Sequence, residues 1–280
     1  MFCPSNYKNR ETSRQEIGSI RKTYGETGNG NDRLATTSNV NKRNLKCCDL
    51  NRVKQMNFFH GYERLLLTFV FEILLLATCV FGDKSLTFVA SMKAKHSGQI
   101  WIRAAVDSAT HGSIALLSWA VVEMTSLSNI NVKTLTNCLV CAGLALLVDL
   151  DHFMAAGSFR LKDALSLSKR PPFHATTIIP VVFLTLLCTG YTLQSKQTKM
   201  FSFIYLTSWL SHHIRDATRR GLWLPPFGST LPLHYWMYIF LILFLPLCIR
   251  TCMWYFVLYV DVHTGGHDPS HSVSATIDQI

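Results

Sequence analysis

The chain has 280 residues, of which 49% are hydrophobic and only 16% charged, and it carries a formal net charge of +10. A soluble domain has about 25% charged residues, so this composition points away from a soluble globule and toward a membrane protein. The basic excess comes without zinc-finger or base-stacking motifs, which argues against a nucleic-acid partner and assigns the charge to anionic lipid head groups.

Residues 1–56 are polar, with 11 Lys and Arg against 5 acids and no apolar periodicity. They read as a disordered basic tail, and they lack the early apolar core of a secretory signal peptide. Residues 57–260 alternate long apolar runs with short polar joints and read as a helical membrane domain; 261–280 read as a flexible C-terminal tail. The runs lie near 65–81, 104–122, 132–150, 174–193, 201–214 and 233–259. Crossing the hydrocarbon core takes about 20 apolar helical residues. Four of the runs meet that length, whereas the first carries Glu72 and the fifth is short. The fold expected is therefore all-α, a polytopic helical membrane protein with about five or six membrane helices. Between the third and fourth runs, FMAAGSFRLKDALSLSKRPP reads as an amphipathic helix in the interface, ended by Pro171 and Pro172. The nine cysteines are scattered, and the Cys138-x-x-Cys141 pair has no second pair to complete a zinc site. Cys47 and Cys48, in the basic segment, are candidates for palmitoylation if that side is cytosolic.

The informative stretch is GLALLVDLDHFMAAGS, residues 143–158, where an apolar run meets two carboxylates and an imidazole without a break. Asp83 follows the first run, Asp107 and His111 begin the second, Asp149, Asp151 and His152 close the third, His174 opens the fourth, and His212, His213 and Asp216 end the fifth. With consecutive runs antiparallel, all of these ends meet one face of the membrane. Asp107/His111 and His212/Asp216 are i,i+4 pairs, so each pair shares a helix face. Asp149 and Asp151 are roughly 200° apart on a helix. Either the helix unwinds by Leu150, which is the preferred reading because irregular backbone survives where it lines a polar site, or Asp151 takes an outer role.

Carboxylates with imidazoles suit Zn²⁺, Mn²⁺ or Fe²⁺. The candidate metal ligands are Asp107, His111, Asp149, Asp151, His174, His212 and Asp216, and the candidate catalytic residues are Asp149, Asp151 and His152. A metal-bound water with its pKa lowered to about 7 would be the nucleophile, with a spare Asp or His as base. Against this stands a structural ion network in which Arg103, Arg170 and Arg215 pair with the acids, giving a non-enzymatic membrane scaffold or adaptor. An ion- or proton-coupled transporter fits less well, because the polar residues gather at one face and mark no path across. Eleven Lys and Arg on the site face against three on the opposite joints place the site in the cytosol by the positive-inside rule, while the basic tail argues the reverse if the first run spans.

DSATHGSIALLSWAVV, LVDLDHFMAAGSFRLKDALSL, RPPFHATTIIPVV and SWLSHHIRDATRRGLWLPPFG closely resemble the transmembrane protein 267 family over roughly residues 83–259. More distantly, the order Asp/His, D-x-D-H, His and then Ser211, His212, Asp216, Thr218, Gly221, Pro226 and Phe227 is similar to bacterial LexA-regulated inner-membrane metal-dependent hydrolases. Where that pattern reads H-R-G-x-T-H-S, this chain has Lys169-Arg170-Pro171-Pro172-Phe173-His174-Ala175, one histidine fewer. The resemblance implies a multipass membrane protein and suggests a hydrolase ancestry. The interfacial position of the site, and not the resemblance, points to a lipid-borne phosphoester or another membrane-embedded small molecule as substrate.

Overall fold

The computed structural model describes residues 31–92, 97–124 and 130–259, with side chains from Gly61 onward. The expectations for the first thirty residues and for the C-terminal tail at 261–280 lie outside the described residues, as do those for the side chains of Cys47 and Cys48. The chain divides into Met1–Phe58 and Phe59–Ile280, and everything that follows concerns the second unit.

The elements are almost all helical. In chain order they are α1 (Asn31–Ser91), α2 (Ser97–Glu123), α3 (Val132–Val148), α4 (Asp151–Ala156), α5 (Leu161–Leu165), a 3₁₀ turn (Pro172–His174), α6 (Ile178–Thr192), α7 (Lys196–Arg220), a two-stranded hairpin of β1 (Trp223–Leu224) and β2 (Gly228–Ser229), α8 (Tyr235–Met253) and a π-helical turn (Trp254–Tyr259). Among the described residues, three helices are long and apolar enough to cross a bilayer: Gly61–Ser91, Val132–Ala156 and Tyr235–Val257. Ile178–Thr192 is apolar but shorter. The chain is a helical, integral membrane protein.

Helix α7 is the centre of the bundle, packed against α2, α3, α6 and α8. Its position explains its composition. Because four helices shelter it, it can bury Lys199, Ser202, Thr207, Ser208, Ser211, His212, His213 and Arg215 without presenting them to lipid, which a single lipid-facing helix could not do. The surrounding core is apolar and includes Leu75, Ile114, Trp119, Phe203, Tyr238 and Ile242. At the end away from the Asp and His residues, Trp119 and Asn137 donate to the carboxylate of Glu123, at 2.6 and 2.9 Å. Those two donors satisfy the Glu123 carboxylate at that end.

Three local features position the site. The first is the break between α3 and α4. Asp149 (φ −71°, ψ −13°) and Leu150 (φ −65°, ψ −23°) stay right-handed, but Leu150, His152 and Phe153 donate to the carbonyls of Leu147, Asp149 and Leu150, three residues back. A 3₁₀ turn advances about 120° per residue instead of about 100°, so the two acids come closer to one side. The unwinding expected at Leu150 is thus a tightening. The second feature is the segment expected to be one interfacial helix. It is two short helices, because Gly157 takes a left-handed conformation (φ 59°) and caps the first, and Arg160 is extended. Third, the loop bearing His174 is fastened to the end of α7. Ala175 bridges Trp223, Thr176 N–H donates to the Trp223 carbonyl at 2.8 Å, and Arg170 donates to the carbonyls of Gly221 and Arg220.

Gly221 ends α7 at φ 70°, and a β-carbon there would lie 2.0 Å from the Thr230 carbonyl oxygen; at Gly157 a β-carbon would meet nothing within 4 Å. Gly157→Ala should therefore cost only the left-handed strain, about 1 kcal/mol. Gly221→Ala adds a backbone clash and should cost at least about 3 kcal/mol, a difference that thermal unfolding of the two variants in detergent measures directly.

Candidate metal centre

The side chains arrive from several elements. Asp149 caps α3, Asp151 and His152 begin α4, His174 closes the 3₁₀ turn, His212 and Asp216 share a face of α7 one turn apart, and Asp107 and His111 do the same near the start of α2. The structure brings them together. His174 Nε2 lies 3.3 Å from Asp216 Oδ2 and 3.8 Å from Asp149 Oδ1. His212 Nε2 lies 3.4 Å from the same Asp216 oxygen and 3.5 Å from the same Asp149 oxygen. Two nitrogens and two oxygens thus alternate around one point, all within 4.8 Å of one another.

Those spacings have a geometric meaning. Zinc binds nitrogen and oxygen at about 2.0–2.1 Å, and tetrahedral ligands at that radius are about 3.3 Å apart. His212 adds a second observation. It is 0% exposed, and among the described residues neither ring nitrogen has a hydrogen-bond partner. A buried polar group normally finds one. Its Nε2 points between two carboxylates without hydrogen-bonding either. Asp149 is the most open member, 31% exposed, so solvent reaches the centre from its side.

Around this group lie supporting contacts. Asp151, fully buried, is 3.3 Å from His174 Nδ1 and accepts the Phe173 N–H at 2.7 Å; its other oxygen is 3.2 Å from His152 Nδ1. Asp151, His152 and His174 form a second cluster of donor atoms. His111 stacks on His212 with ring centroids 3.9 Å apart and places Nε2 3.3 Å from Asp216 Oδ1. Burial opposes a charge on the His174 ring, but the Asp151 and Asp216 carboxylates outweigh it and push its pKa up to about 9. An entering cation would displace that proton.

Asp107 stands apart from both clusters. It accepts from Arg215 Nη1 at 2.5 Å and from Arg219 at 2.6 and 2.8 Å, while Arg215 also donates to Asp83 at 3.2 Å. Asp83 is therefore a charge partner inside α1.

The transmembrane protein 267 of Bos taurus is 40% identical to this chain over 170 residues, covering 60% of this chain and 74% of that protein. The chain belongs to the transmembrane protein 267 family. The Xenopus laevis relative is 44% identical over 150 residues, covering 52% of this chain and 66% of its own length. The Mus musculus relative is 38% identical over 170 residues, with coverage of 60% and 74%. No family model and no solved structure matches. Membership of the transmembrane protein 267 family agrees with the apolar helices and gives the chain a lipid bilayer as its environment.

Of the seven candidate ligands in this transmembrane protein 267 relative, Asp149, His174, His212 and Asp216 form the alternating group. His111 stands behind Asp216, Asp151 behind His174, and Asp107 belongs to the arginines. Of the residues proposed for catalysis, His152 packs edge-on against His174 at 4.7 Å between centroids. His213 gives its Nδ1 to the Trp209 carbonyl at 2.8 Å, as a structural histidine would. The sequence reading undervalued Arg219, yet it is one turn beyond Arg215 and lies at i,i+3 from Asp216. That spacing was the available signal. The Phe173 N–H had none, since a backbone donor leaves no trace in residue type.

Arg215 is 2% exposed, so removing its principal partner leaves a buried charge poorly compensated. Asp107→Ala should destabilise the protein by about 3 kcal/mol, at the low end for such losses because Asp83 stays in place. Unfolding in detergent with and without a chelator should give the same loss.

Proposed function

We propose that this chain is a membrane-embedded metalloprotein that binds one divalent ion, with Zn²⁺ preferred over Mn²⁺ or Fe²⁺, through Asp149, His174, His212 and Asp216. The reaction we assign to it is hydrolysis of a phosphoester or another ester carried on a lipid or small molecule at the interface. The observation that carries this reading is the alternation of two imidazole nitrogens and two carboxylate oxygens, 3.3–3.8 Å apart along its edges. Equal numbers of nitrogen and oxygen donors suit zinc better than an oxygen-seeking ion such as Mg²⁺. With a further coordination position open on the Asp149 side, an ion held by these residues would lower the pKa of a water and polarise the scissile group. His152, half-buried beside His174, is placed to take a proton on the side that Asp149 leaves open. The bacterial hydrolase likeness of the D-x-D-H and S-H-x-x-x-D motifs points to the same chemistry.

For the membrane domain we infer six crossings, by α1, α2, α3, α6, α7 and α8. Helices α2 and α7 have 27 and 25 residues, enough for about 40 and 37 Å at 1.5 Å per residue. The neighbours of α7 relieve it of the need to be apolar. This topology puts every ligand at one membrane face.

A second reading has its own observation. Arg215, Arg219, Asp83 and Asp107 already neutralise one another with no cation, as a structural cluster in a scaffold or adaptor would. The two readings separate cleanly. Under the first, protein purified without chelator carries about one zinc per chain by elemental analysis, and His212→Ala and Asp149→Ala each lose it while still eluting as a folded species. A chelator abolishes hydrolysis of ester or phosphoester probes in micelles, and Zn²⁺ restores it. A wild-type chain that stays folded and metal-free in the presence of excess Zn²⁺ rules the metalloprotein out and leaves the scaffold.

A further inference from the structure

We propose that Asp151 is not a ligand of the metal but the positioning residue that orients His174 toward it; this inference rests on the metalloprotein reading above.

The geometry separates the two edges of the His174 ring. Nε2 faces Asp149 and Asp216. Nδ1, on the other edge, faces Asp151 Oδ2 at 3.3 Å. An ion bound at Nε2 is therefore out of reach of Asp151, which sits on the wrong side of the ring. Metal-ligating histidines commonly donate their second N–H to a carboxylate, which fixes the tautomer and the ring plane and makes the ligand nitrogen more basic. Asp151 is built for that task. It is 0% exposed, it sits at the tightened turn after α3, and the Phe173 N–H holds its Oδ2 from the residue next to His174 at 2.7 Å. The acid thus grips both the backbone and the ring of the Phe173-His174 pair. Both donors meet Oδ2, while Oδ1 faces His152 Nδ1 at 3.2 Å.

The competing assignment is a second ion among Asp151, His152 and His174, with His174 bridging two metals through both nitrogens. Two features argue against it. That pocket offers three protein donors, and the Phe173 N–H points at the Asp151 oxygen nearest His174, so a cation there would meet the positive end of a backbone dipole. Bridging would also require His174 to lose both ring protons beside a carboxylate that favours keeping one.

The test uses the full chain in detergent, loaded with Co²⁺ as a spectroscopic substitute for Zn²⁺ and titrated against a chelator. Asp151→Asn keeps an oxygen for the Phe173 N–H but loses the charge behind His174. The proposal expects one metal per chain in wild type and in Asp151→Asn, with affinity about 10–100-fold lower in the variant. In the Co²⁺-loaded wild type, ligand histidines that keep a proton on Nδ1 give paramagnetically shifted, slowly exchanging N–H resonances. Two are expected, from His174 and His212, and this readout stands even if Asp151→Asn fails to fold. Two metals in wild type falling to one in Asp151→Asn, unaltered affinity in that variant, or a single shifted N–H resonance would each overturn the assignment. Wild type that binds no metal at all refutes the parent reading and this one together, and is distinguished because it appears before any substitution is made.

Discussion

A guanidinium buried within a lipid-embedded bundle is tolerable only with carboxylates against it, and Arg215 meets that requirement by reaching across two helix interfaces. Its partners, Asp107 and Asp83, belong to α2 and α1, so one charge on α7 fixes the register of three helices. An unpaired charge at that depth costs several kcal/mol. Sliding any of the three helices by a turn, about 5.4 Å, would break the contacts. The Arg-Asp cluster therefore does for this end of the bundle what a disulfide or a metal does for a small soluble domain. On the same stretch of α7, the same registration lines up His212 and Asp216 with Asp149 at the end of α3 and the imidazole of the Phe173-His174 loop.

The two halves of the polar region follow different rules. The arginine half is largely paired, because each carboxylate oxygen of Asp107 has its donor and Arg215 and Arg219 each have an acid, with Arg215 Nε the buried atom left without a hydrogen bond. The histidine half is less satisfied, because His212 is wholly buried with both ring nitrogens lacking a hydrogen-bond partner among the described residues, and Asp216 stands between three imidazoles. Structural clusters tend toward mutual satisfaction, and the histidine half departs further from it.

Much of this was legible in the residues. The acids and histidines at several run ends were visible as a set, and the i,i+4 spacing of His212 and Asp216 set them side by side, because helix periodicity is a local property. Helix α7 was harder to read, since hydropathy scores a helix against lipid and this one is solvated by other helices. Its run seemed to stop near Ile214 because Arg215, Asp216 and Arg219 look like the end of a span when their partners are unknown. Which edge of the His174 ring each carboxylate meets was also hidden. Asp149 and Asp151 are the same residue type two positions apart. Asp149 faces Nε2 and Asp151 faces Nδ1 because of the 3₁₀ turn and the placement of the His174 loop, and both are tertiary facts.

The helical hairpin of α6 and α7 is pinned at both ends. At one, Ala175 and Thr176 hold Trp223; at the other, Gly190 lies so close to Lys199 that a β-carbon would come within 2.9 Å of its backbone nitrogen. The histidine donated by the loop and the two donors on the long helix consequently form a caliper of fixed opening. Only Asp149, carried on a separate helix and reaching in from the solvent side, has freedom to adjust. Such a caliper would grip a small ion and refuse a large one such as Ca²⁺, whose oxygen shell at about 2.3–2.6 Å needs all its donors to step back together.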